Sequence, residues 1–318
     1  MEVSVIGCGR WGTFLAWYLD RSGQEVTLYG RKGSQRMETL METRTNGVTT
    51  LPESVGLTYS LEEALKRDTL VISVGSQGLR GLLREIAALC PGAEKRLVLC
   101  MKGLETTTGK RLSTIVEEEL PAARVAVWLG PGHVQEFTAG VPNCMVIDSQ
   151  DEELKDELIS AFSSELIRFY YGSDLIGNEI GGASKNVIGI AAGMLDGLHL
   201  SSLKGALMSR GTREIARLIQ ALGGSELSAY GLCHLGDYEA TVFSKYSHNR
   251  RYGEALVLGE PYHELAEGCA TVQALVKLGE EYNVSLPICK GVYRVLYQGA
   301  DPRETLDKLF SRSLKQEF

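Results

Sequence analysis

Near its beginning the chain reads Gly7-Cys8-Gly9-Arg10-Trp11-Gly12, a G-x-G-x-x-G pattern. The apolar run Val3 to Ile6 precedes it, and apolar residues at helical spacing follow it, namely Trp11, Phe14, Leu15, Tyr18 and Leu19. In such a turn Gly7 allows the tight bend, Gly9 lets the backbone approach a pyrophosphate, and Gly12 lets helix and strand pack closely. The pattern predicts a dinucleotide-binding turn, and the alternative is a tight strand-to-helix turn that binds nothing.

The end of the second apolar run indicates which dinucleotide is accepted. NAD sites usually place a carboxylate there to bind the ribose hydroxyls, yet this chain reads Tyr29-Gly30-Arg31-Lys32. Arg31, with Lys32 beside it, can pair with a 2′-phosphate because guanidinium geometry suits phosphate. The residues favour NADP without excluding NAD, and a solvated loop charge at Arg31 is the alternative.

Up to about residue 172, short apolar runs alternate with segments of helical period. This alternation predicts an α/β fold, a doubly wound parallel sheet of Rossmann type. The predicted strands are Val3 to Ile6, Glu25 to Tyr29, Thr69 to Val74, Arg96 to Met101, Arg124 to Leu129, Cys144 to Ile147 and Ile167 to Tyr171. Gly23 is predicted to end the helix between the first two strands.

After Ser173 the strand pattern fades and long helical segments take over. They are Asn178 to Leu195, Lys204 to Leu222, Glu264 to Tyr282 and Lys290 to Tyr297. Glycine and alanine crowd the first of them, which predicts that another part of the molecule approaches its backbone closely. We therefore predict a dinucleotide-binding domain at 1–173, an all-helical substrate and catalytic domain at 174–318, and a site in the cleft where they join.

Composition excludes several classes of function. The chain has 318 residues, with 33 Lys and Arg against 40 Asp and Glu, for a net charge of -7. Its 44% hydrophobic and 23% charged residues are typical of a globular protein with sizeable cores. This acidity argues against a broad nucleic-acid or membrane surface but allows a local basic pocket, so a small phosphorylated partner is expected.

Cysteine and histidine spacing and the N-terminus bear on compartment and metals. The seven cysteines are scattered without a C-x-x-C, and the five histidines form no H-x-x-x-H or H-E-x-x-H. We predict a reducing compartment and no metal site. The first residues lack a basic segment and a long apolar run, and no stretch approaches the length of a membrane span, so a cytoplasmic location is expected.

Two lysines occupy positions that solubility does not explain. Lys102 follows an apolar run and precedes Gly103, which places it at the carboxyl end of a predicted strand, where ligands bind in such sheets. Lys185 lies within the segment rich in glycine and alanine, where a buried ammonium group needs partners. For both Lys102 and Lys185, the alternative is a snorkelling surface lysine.

These motifs, in this order, resemble the NAD(P)-dependent glycerol-3-phosphate dehydrogenase family of bacterial type. The matching segments are Gly7 to Thr13, Lys102-Gly103-Leu104-Glu105, Gly182 to Val187, Ser209-Arg210-Gly211, Leu235-Gly236-Asp237, Asn249 to Gly253, Glu267-Gly268 and Leu286-Pro287-Ile288. The resemblance implies a reversible hydride transfer between NAD or NADP and dihydroxyacetone phosphate or sn-glycerol 3-phosphate. It also implies a homodimer.

The resemblance implies a role for each matched residue. Lys185 is the implied general acid and base, Asp237 orients it, and Lys102 polarises the substrate and touches the cofactor. The implied cofactor contacts are the glycine turn with Arg10 and Trp11, Arg31, Lys102, Val134, His248, Leu265 and Glu267. The implied substrate contacts are Lys102, Gly130, Gly132, Lys185, Asp237, Ser247, His248 and Asn249.

The chain departs from the family pattern at several positions. His248 stands where the family has an arginine that bridges substrate phosphate and cofactor, and Arg250 or Arg251 is the candidate replacement. Gly132 stands where the family has a serine, and Gly75 replaces a proline. Ser202-Leu203-Lys204 lacks the family's asparagine before the lysine. These departures leave open a divergent enzyme that reduces another small keto or hydroxy compound, and a non-catalytic NAD(P)-binding regulator is a further alternative.

Overall fold

The computed structural model describes residues 1–313, which form two compact units. The first contains Met1–Lys102 and Lys110–Glu179, and the second contains Gly103–Gly109 and the chain from Ile180 onward. None of the described helices combines the length and apolar character that crossing a bilayer requires. All seven cysteines are free thiols.

The first unit is built on one eight-stranded sheet with the order β3-β2-β1-β4-β5-β6-β7-β8. The strands are β1 (Glu2–Ile6), β2 (Glu25–Tyr29), β3 (Gly56–Thr58), β4 (Thr69–Ile72), β5 (Arg96–Leu99), β6 (Arg124–Leu129), β7 (Asn143–Asp148) and β8 (Ile167–Tyr171). The order reverses beside β1, so the prediction of a Rossmann-type doubly wound fold is confirmed.

Three details of the sheet differ from the sequence prediction. Strand β7 pairs antiparallel to β6, whereas every other pairing is parallel. The helix between them has only five residues, about 7.5 Å, and cannot return the chain along a strand of about 20 Å. The predicted strands ending at Val74 and Met101 stop at Ile72 and Leu99, and the edge strand β3, which has no apolar run, was not predicted.

The helices of the first unit cover both faces of this sheet. They are α1 (Arg10–Arg21), α2 (Gln35–Thr43), α3 (Leu61–Ala64), α4 (Leu79–Leu89), α5 (Leu112–Glu119), α6 (Val134–Thr138) and α7 (Glu152–Phe162). Helix α1 buries Phe14, Leu15, Tyr18 and Leu19 as its spacing predicts. Gly23 follows its last turn with φ +81°, a left-handed conformation that suits glycine, so the predicted helix end is confirmed.

Beyond β8 the described chain contains helices and turns but no strand, which confirms the all-helical prediction. The helices are α8 (Leu175–Gly197), α9 (Lys204–Ala221), α10 (His248–Leu258), α11 (Glu267–Glu281), α12 (Pro287–Gln298) and α13 (Pro302–Phe310). Helices α10 and α13 were not predicted because their polar residues obscure the apolar period. The predicted start of α11 at Glu264 is wrong, since the chain is still irregular there.

The small residues of α8 are explained by close packing against α10. A Cβ on Gly193 would lie 1.8 Å from the carbonyl oxygen of Arg250, and one on Gly253 would lie 2.1 Å from that of Ile190. The two backbones therefore approach each other through facing glycines. The predicted close approach to the backbone of α8 is confirmed. This packing holds α8 in place, and Lys185 lies midway along that helix.

Candidate active site

The glycine turn between β1 and α1 has no room for side chains at two of its positions. Gly7 has φ +116°, and a Cβ there would lie 2.3 Å from the carbonyl oxygen of Ser73. A Cβ on Gly12 would lie 1.8 Å from the carbonyl oxygen of Gly7. These two glycines are therefore required by the turn and by the packing of helix on strand, as the motif predicts.

Gly9 differs, because no residue within 1–313 requires a glycine there. Its φ is −70°, and the nearest atom to an added Cβ is Nη1 of Arg36 at 3.8 Å. Gly9 caps the N-terminus of α1, where backbone N–H groups and the helix dipole favour an anion. The space above Gly9 therefore fits a pyrophosphate that must approach the backbone closely.

Basic side chains lie beside this turn. Arg31 follows β2 and is exposed, and its contact with a 2′-phosphate remains a prediction. Arg36, in the first turn of α2, brings its guanidinium to the surface of Gly9 and was not predicted. The motif concerns residues at the end of β2, such as Arg31, and does not extend to Arg36 on the helix that follows.

The loop after β6 packs against the glycine turn through aromatic rings. Trp11 and Phe137 have ring centroids 6.2 Å apart, and Phe14 stacks on Phe137 at 5.1 Å. Gly132 has φ +138°, and a Cβ there would lie 2.3 Å from Phe137. The glycine that replaces the family serine is therefore demanded by this backbone and its neighbour.

Lys102 lies just beyond the carboxyl end of β5, as predicted. Its Nζ donates a hydrogen bond of 2.6 Å to the carbonyl oxygen of Gly130, which follows the neighbouring strand β6. Val134 begins α6 and its side chain is buried in the core, so only its backbone can face a ligand. This edge of the sheet thus presents one ammonium group beside a glycine-rich loop.

In the second unit, Lys185 of α8 lies in a buried polar cluster. Its Nζ lies 2.6 Å from Oδ2 of Asp237 and donates a hydrogen bond of 2.9 Å to Oγ1 of Thr241. The side chain of Lys185 is 10% exposed and that of Asp237 is 1% exposed. Burying both charges is tolerable because they neutralise each other at hydrogen-bonding distance.

Local backbone structure brings the two partners to Lys185. Asp237 ends a 3-10 turn, Leu235–Asp237, and Thr241 lies on a π-helical turn, Glu239–Phe243, a conformation frequent at functional sites. The structure thus brings Lys185 and Asp237 together as predicted. Thr241 was missed because a lone threonine 56 residues from Lys185 carries no motif.

A buried histidine supports the turn that carries Asp237. His234 Nδ1 lies 2.8 Å from the carbonyl oxygen of Gly181, and its Nε2 lies 2.8 Å from the hydroxyl of Tyr238. Burial lowers the pKa of His234 to about 4, so the ring is neutral at pH 7. A neutral ring that donates from Nδ1 to Gly181 must accept from Tyr238 at Nε2.

Asn249 and Ser247 already serve the structure of the second unit. The Asn249 amide donates to Oδ1 of Asn186 at 3.0 Å, and its oxygen accepts from the backbone N–H of Gly268 at 2.9 Å. Ser247 caps α10 by accepting from the N–H of Arg250 at 3.3 Å. Their predicted contacts with substrate oxygens remain predictions.

Two family models describe this chain over most of its length. The NAD-dependent glycerol-3-phosphate dehydrogenase N-terminus matches residues 2–155, and the corresponding C-terminus matches residues 174–307. The chain belongs to this family. Its sequence is 37% identical to glycerol-3-phosphate dehydrogenase [NAD(P)+] of Desulfitobacterium hafniense, covering all of this chain and 93% of that protein. It is also 37% identical to the enzyme of that name from a Thermotoga species, covering all of this chain and 99% of that protein.

A solved structure of a family member has the same fold. Glycerol-3-phosphate dehydrogenase of Coxiella burnetii superposes with a TM-score of 0.91 at 29% identity, covering 98% of this chain and 99% of that one. The predictions of family, of an NAD(P)-dependent oxidoreductase, and of NAD or NADP as its cofactor are confirmed.

Arg250 is one of the two candidate replacements for the arginine that is missing at His248, and its side chain already has an acidic partner. Nε of Arg250 lies 2.6 Å from Asp196, and the same carboxylate oxygen receives a 2.7 Å hydrogen bond from Lys204. This ion network holds the guanidinium of Arg250, which makes Arg250 the less favoured of the two candidate replacements.

Arg251 is held differently, beside His248. Its guanidinium stacks over the ring of Tyr262 at 5.5 Å, and the hydroxyl of Tyr262 lies 2.8 Å from Nδ1 of His248. The side chain of Arg251 is exposed, so it remains the candidate cation. Leu265 is 68% exposed and Glu267 begins α11, where both remain predicted cofactor contacts.

Proposed function

We propose that this enzyme interconverts dihydroxyacetone phosphate and sn-glycerol 3-phosphate, with Lys185 as general acid and base. The observation that carries the proposal is the buried contact of 2.6 Å between Lys185 Nζ and Asp237 Oδ2. A lysine that served only solubility would be exposed. It would not be buried with a carboxylate and a hydroxyl beside its ammonium group. The family relatives named glycerol-3-phosphate dehydrogenase support the substrate.

Lys185 would handle the proton that accompanies hydride transfer. In the direction of reduction it gives a proton to the substrate's C2 carbonyl oxygen while C2 receives the hydride, and in the reverse direction it takes the hydroxyl proton. The bound nicotinamide supplies or accepts the hydride. Asp237 and Thr241 fix the direction of the ammonium group, which limits the geometries that Lys185 can sample.

The first unit would hold the cofactor. Gly9 and the first N–H groups of α1 are assigned to the pyrophosphate, and Arg31 to a 2′-phosphate when NADP is bound. Trp11 and Arg10 line the same turn. Lys102, anchored on the Gly130 carbonyl, is assigned to polarise the substrate beside the cofactor.

A second candidate substrate is favoured by one observation. Arg250 is committed to Asp196, so the family's phosphate-binding arginine has no direct equivalent at His248. A related enzyme acting on another small keto or hydroxy compound is the resulting alternative. Arg251 and His248 would then bind a different polar group.

The assay compares dihydroxyacetone phosphate with dihydroxyacetone, using NADH and NADPH in parallel. Oxidation of the reduced nicotinamide with the phosphorylated compound, and about 100-fold lower kcat/KM without the phosphate, is the expected result. Equal rates with both compounds would assign the enzyme to the alternative. The ratio of NADPH to NADH efficiency tests the assignment of Arg31.

Assembly, location and domain roles complete the proposal. A homodimer is proposed from the family resemblance and is tested by sedimentation equilibrium. A cytoplasmic location is proposed from the free cysteines and is tested by cell fractionation. Cofactor binding is assigned to the domain predicted at 1–173 and catalysis to the one predicted at 174–318.

A further inference from the structure

A cavity lies in the helical unit, and its lining residues do not include Lys185, Asp237 or Thr241. It has a volume of about 760 Å³, within the roughly 300–1,000 Å³ of small-molecule sites. Helices α8, α9, α12 and α13 form its walls. The apolar lining includes Leu195, Leu207, Val292, Val295, Leu306 and Leu309.

Helix α13 shows that this apolar surface is left uncovered by the described chain. None of the residues of α13 is buried, although Leu306, Leu309 and Phe310 all face the cavity. Phe310 is 66% exposed. An amphipathic helix whose apolar side lines an open cavity is typical of a ligand site and not of a packed core.

One group of residues on the cavity wall is strongly basic. Arg210, Arg213 and Arg217 follow one face of α9, and Arg312 adds a fourth guanidinium after α13. These cations lie near one another: burial lowers the pKa of Arg217, and repulsion from the other three arginines lowers it further, against attraction by Glu214. Four positive charges therefore gather beside an apolar space.

The acidic groups nearby do not cancel this charge. Among the described lining residues Glu214 is the single carboxylate, and it accepts hydrogen bonds of 2.9 Å from the backbone N–H groups of Ile288 and Cys289. Glu226 pairs with Arg213 alone, at 3.0 Å. Arg210 and Arg312 are exposed and available to an incoming anion.

We propose that this cavity binds an anionic amphiphile with a single alkyl chain, whose chain lies among the four helices and whose carboxylate or phosphate head meets the arginines. Apolar burial supplies affinity for the chain, and guanidinium groups match the geometry of either head group. The site is independent of the dehydrogenase reaction.

Isothermal titration calorimetry of the full-length protein tests the proposal with three probes of equal chain length: dodecanoate, dodecyl phosphate and dodecanol. Binding of one or both anions at a stoichiometry of one per chain, at least about tenfold tighter than dodecanol, is expected. The tighter of the two anions identifies the head group. The absence of binding by both anions, or equal affinity for dodecanol, would overturn the proposal.

Variants separate the head-group and chain sites. The double variant Arg210→Gln/Arg312→Gln is expected to weaken anion binding by about tenfold or more while dodecanol binding is kept. Val295→Trp fills the cavity and is expected to abolish binding of all three probes, whereas Arg294→Gln, on the same helix but outside the cavity, is the matched control. Unchanged melting temperatures identify variants that fold.

A second copy of the chain is the competing occupant of this face. If the parent protein binds no probe and Val295→Glu lowers the mass measured by sedimentation, the cavity is part of an interface between copies. That outcome would overturn the amphiphile proposal. Anion binding that the two arginine substitutions leave unchanged would overturn it as well.

Discussion

The glycine turn of the first unit and the Lys185 cluster of the second are built in opposite ways. In the turn, only glycine fits at positions 7 and 12, because an added Cβ would lie 2.3 Å from a carbonyl oxygen at Gly7 and 1.8 Å from one at Gly12. In the cluster, Lys185 is held by the presence of side chains, with Asp237 and Thr241 at 2.6 and 2.9 Å. Gly7 and Gly12 therefore tolerate no added side-chain atom, and Lys185 depends on keeping its partners.

This contrast has a physical consequence for function. Backbone N–H groups at a helix N-terminus keep their partial charge at any ordinary pH, so the turn offers a fixed anion site. A buried lysine paired with a carboxylate can exchange a proton, which the backbone cannot do. In the proposed function, the turn would serve cofactor binding and the cluster would serve proton transfer.

Among the partners of Lys185, the largest effect is expected from removing the carboxylate of Asp237. Asp237→Ala leaves Lys185 without its buried counter-charge, so kcat should fall by about 100-fold or more. The KM for the cofactor should stay within about twofold, because the glycine turn is unchanged. Steady-state kinetics with dihydroxyacetone phosphate measures both.

Milder variants show whether Asp237 acts by positioning. Asp237→Asn and Thr241→Val should each reduce kcat less than Asp237→Ala, and Thr241→Ser should restore activity because it restores the hydroxyl. If Thr241→Ser were as slow as Thr241→Val, the hydroxyl would have no part in holding Lys185. If Asp237→Ala lost kcat and cofactor affinity equally, the claim that the turn binds the cofactor and the cluster transfers the proton would be contradicted.

In the turn, two neighbouring glycines should respond differently to the same added methyl group. Gly12→Ala places a Cβ 1.8 Å from Gly7 oxygen and should destabilise the fold, whereas Gly9→Ala meets nothing closer than 3.8 Å and should fold normally. Gly9→Ala should nevertheless weaken NADH binding by about tenfold because it occupies the space assigned to the pyrophosphate. Thermal melts and fluorescence titration measure the two effects, and full affinity in Gly9→Ala would place the pyrophosphate elsewhere.

Acidity should affect the helical unit more than the turn. Burial raises the pKa of Glu214 from 4.5 to about 7, so the folded state binds more protons than the unfolded state between those pH values. The contribution of Glu214 to the free energy of unfolding should therefore fall by about 3 kcal/mol as the pH rises from about 4.5 to 7, and Glu214→Gln should remove this contribution.

Urea denaturation at several pH values measures this slope. His234 contributes in the opposite direction, because its pKa is lowered from 6.5 to about 4 and its contribution to stability rises with pH across that interval. The two contributions largely offset each other in the parent, so the stability of Glu214→Gln should rise with pH where that of the parent changes little. Glu214→Gln should leave the His234 contribution in place. An identical stability profile for parent and variant would contradict the assignment.

The smallest effect is expected at the exposed edge of the turn. Arg31→Ala should raise the KM for NADPH by about threefold to tenfold and leave that for NADH nearly unchanged, because only NADPH carries a 2′-phosphate. Arg36→Ala, which removes the guanidinium beside Gly9, should weaken both cofactors alike. Equal changes with NADPH and NADH in Arg31→Ala would make Arg31 a general surface charge.

The same contrast explains how much could be predicted from the sequence. The turn lies within six consecutive residues, so its glycines, its strand and its helix were predictable from local pattern. The partnership of Lys185 with Asp237 came from the family resemblance, and Thr241 was missed, because contacts across about 50 residues leave no local pattern. The contact of Arg250 with Asp196 could not be predicted either, because the packing of α8 against α10 determines it.

The central claim, that the turn binds the cofactor and Lys185 transfers the proton, is tested most directly by two measurements on Lys185→Ala. NADH affinity is measured by fluorescence titration and turnover of dihydroxyacetone phosphate by the absorbance of reduced nicotinamide, with Lys308→Ala on α13 as the control. We predict parental NADH affinity together with a loss of turnover of about 1,000-fold or more. Turnover within about tenfold of the parent would contradict the role of Lys185, and lost NADH binding would contradict the division between the two regions.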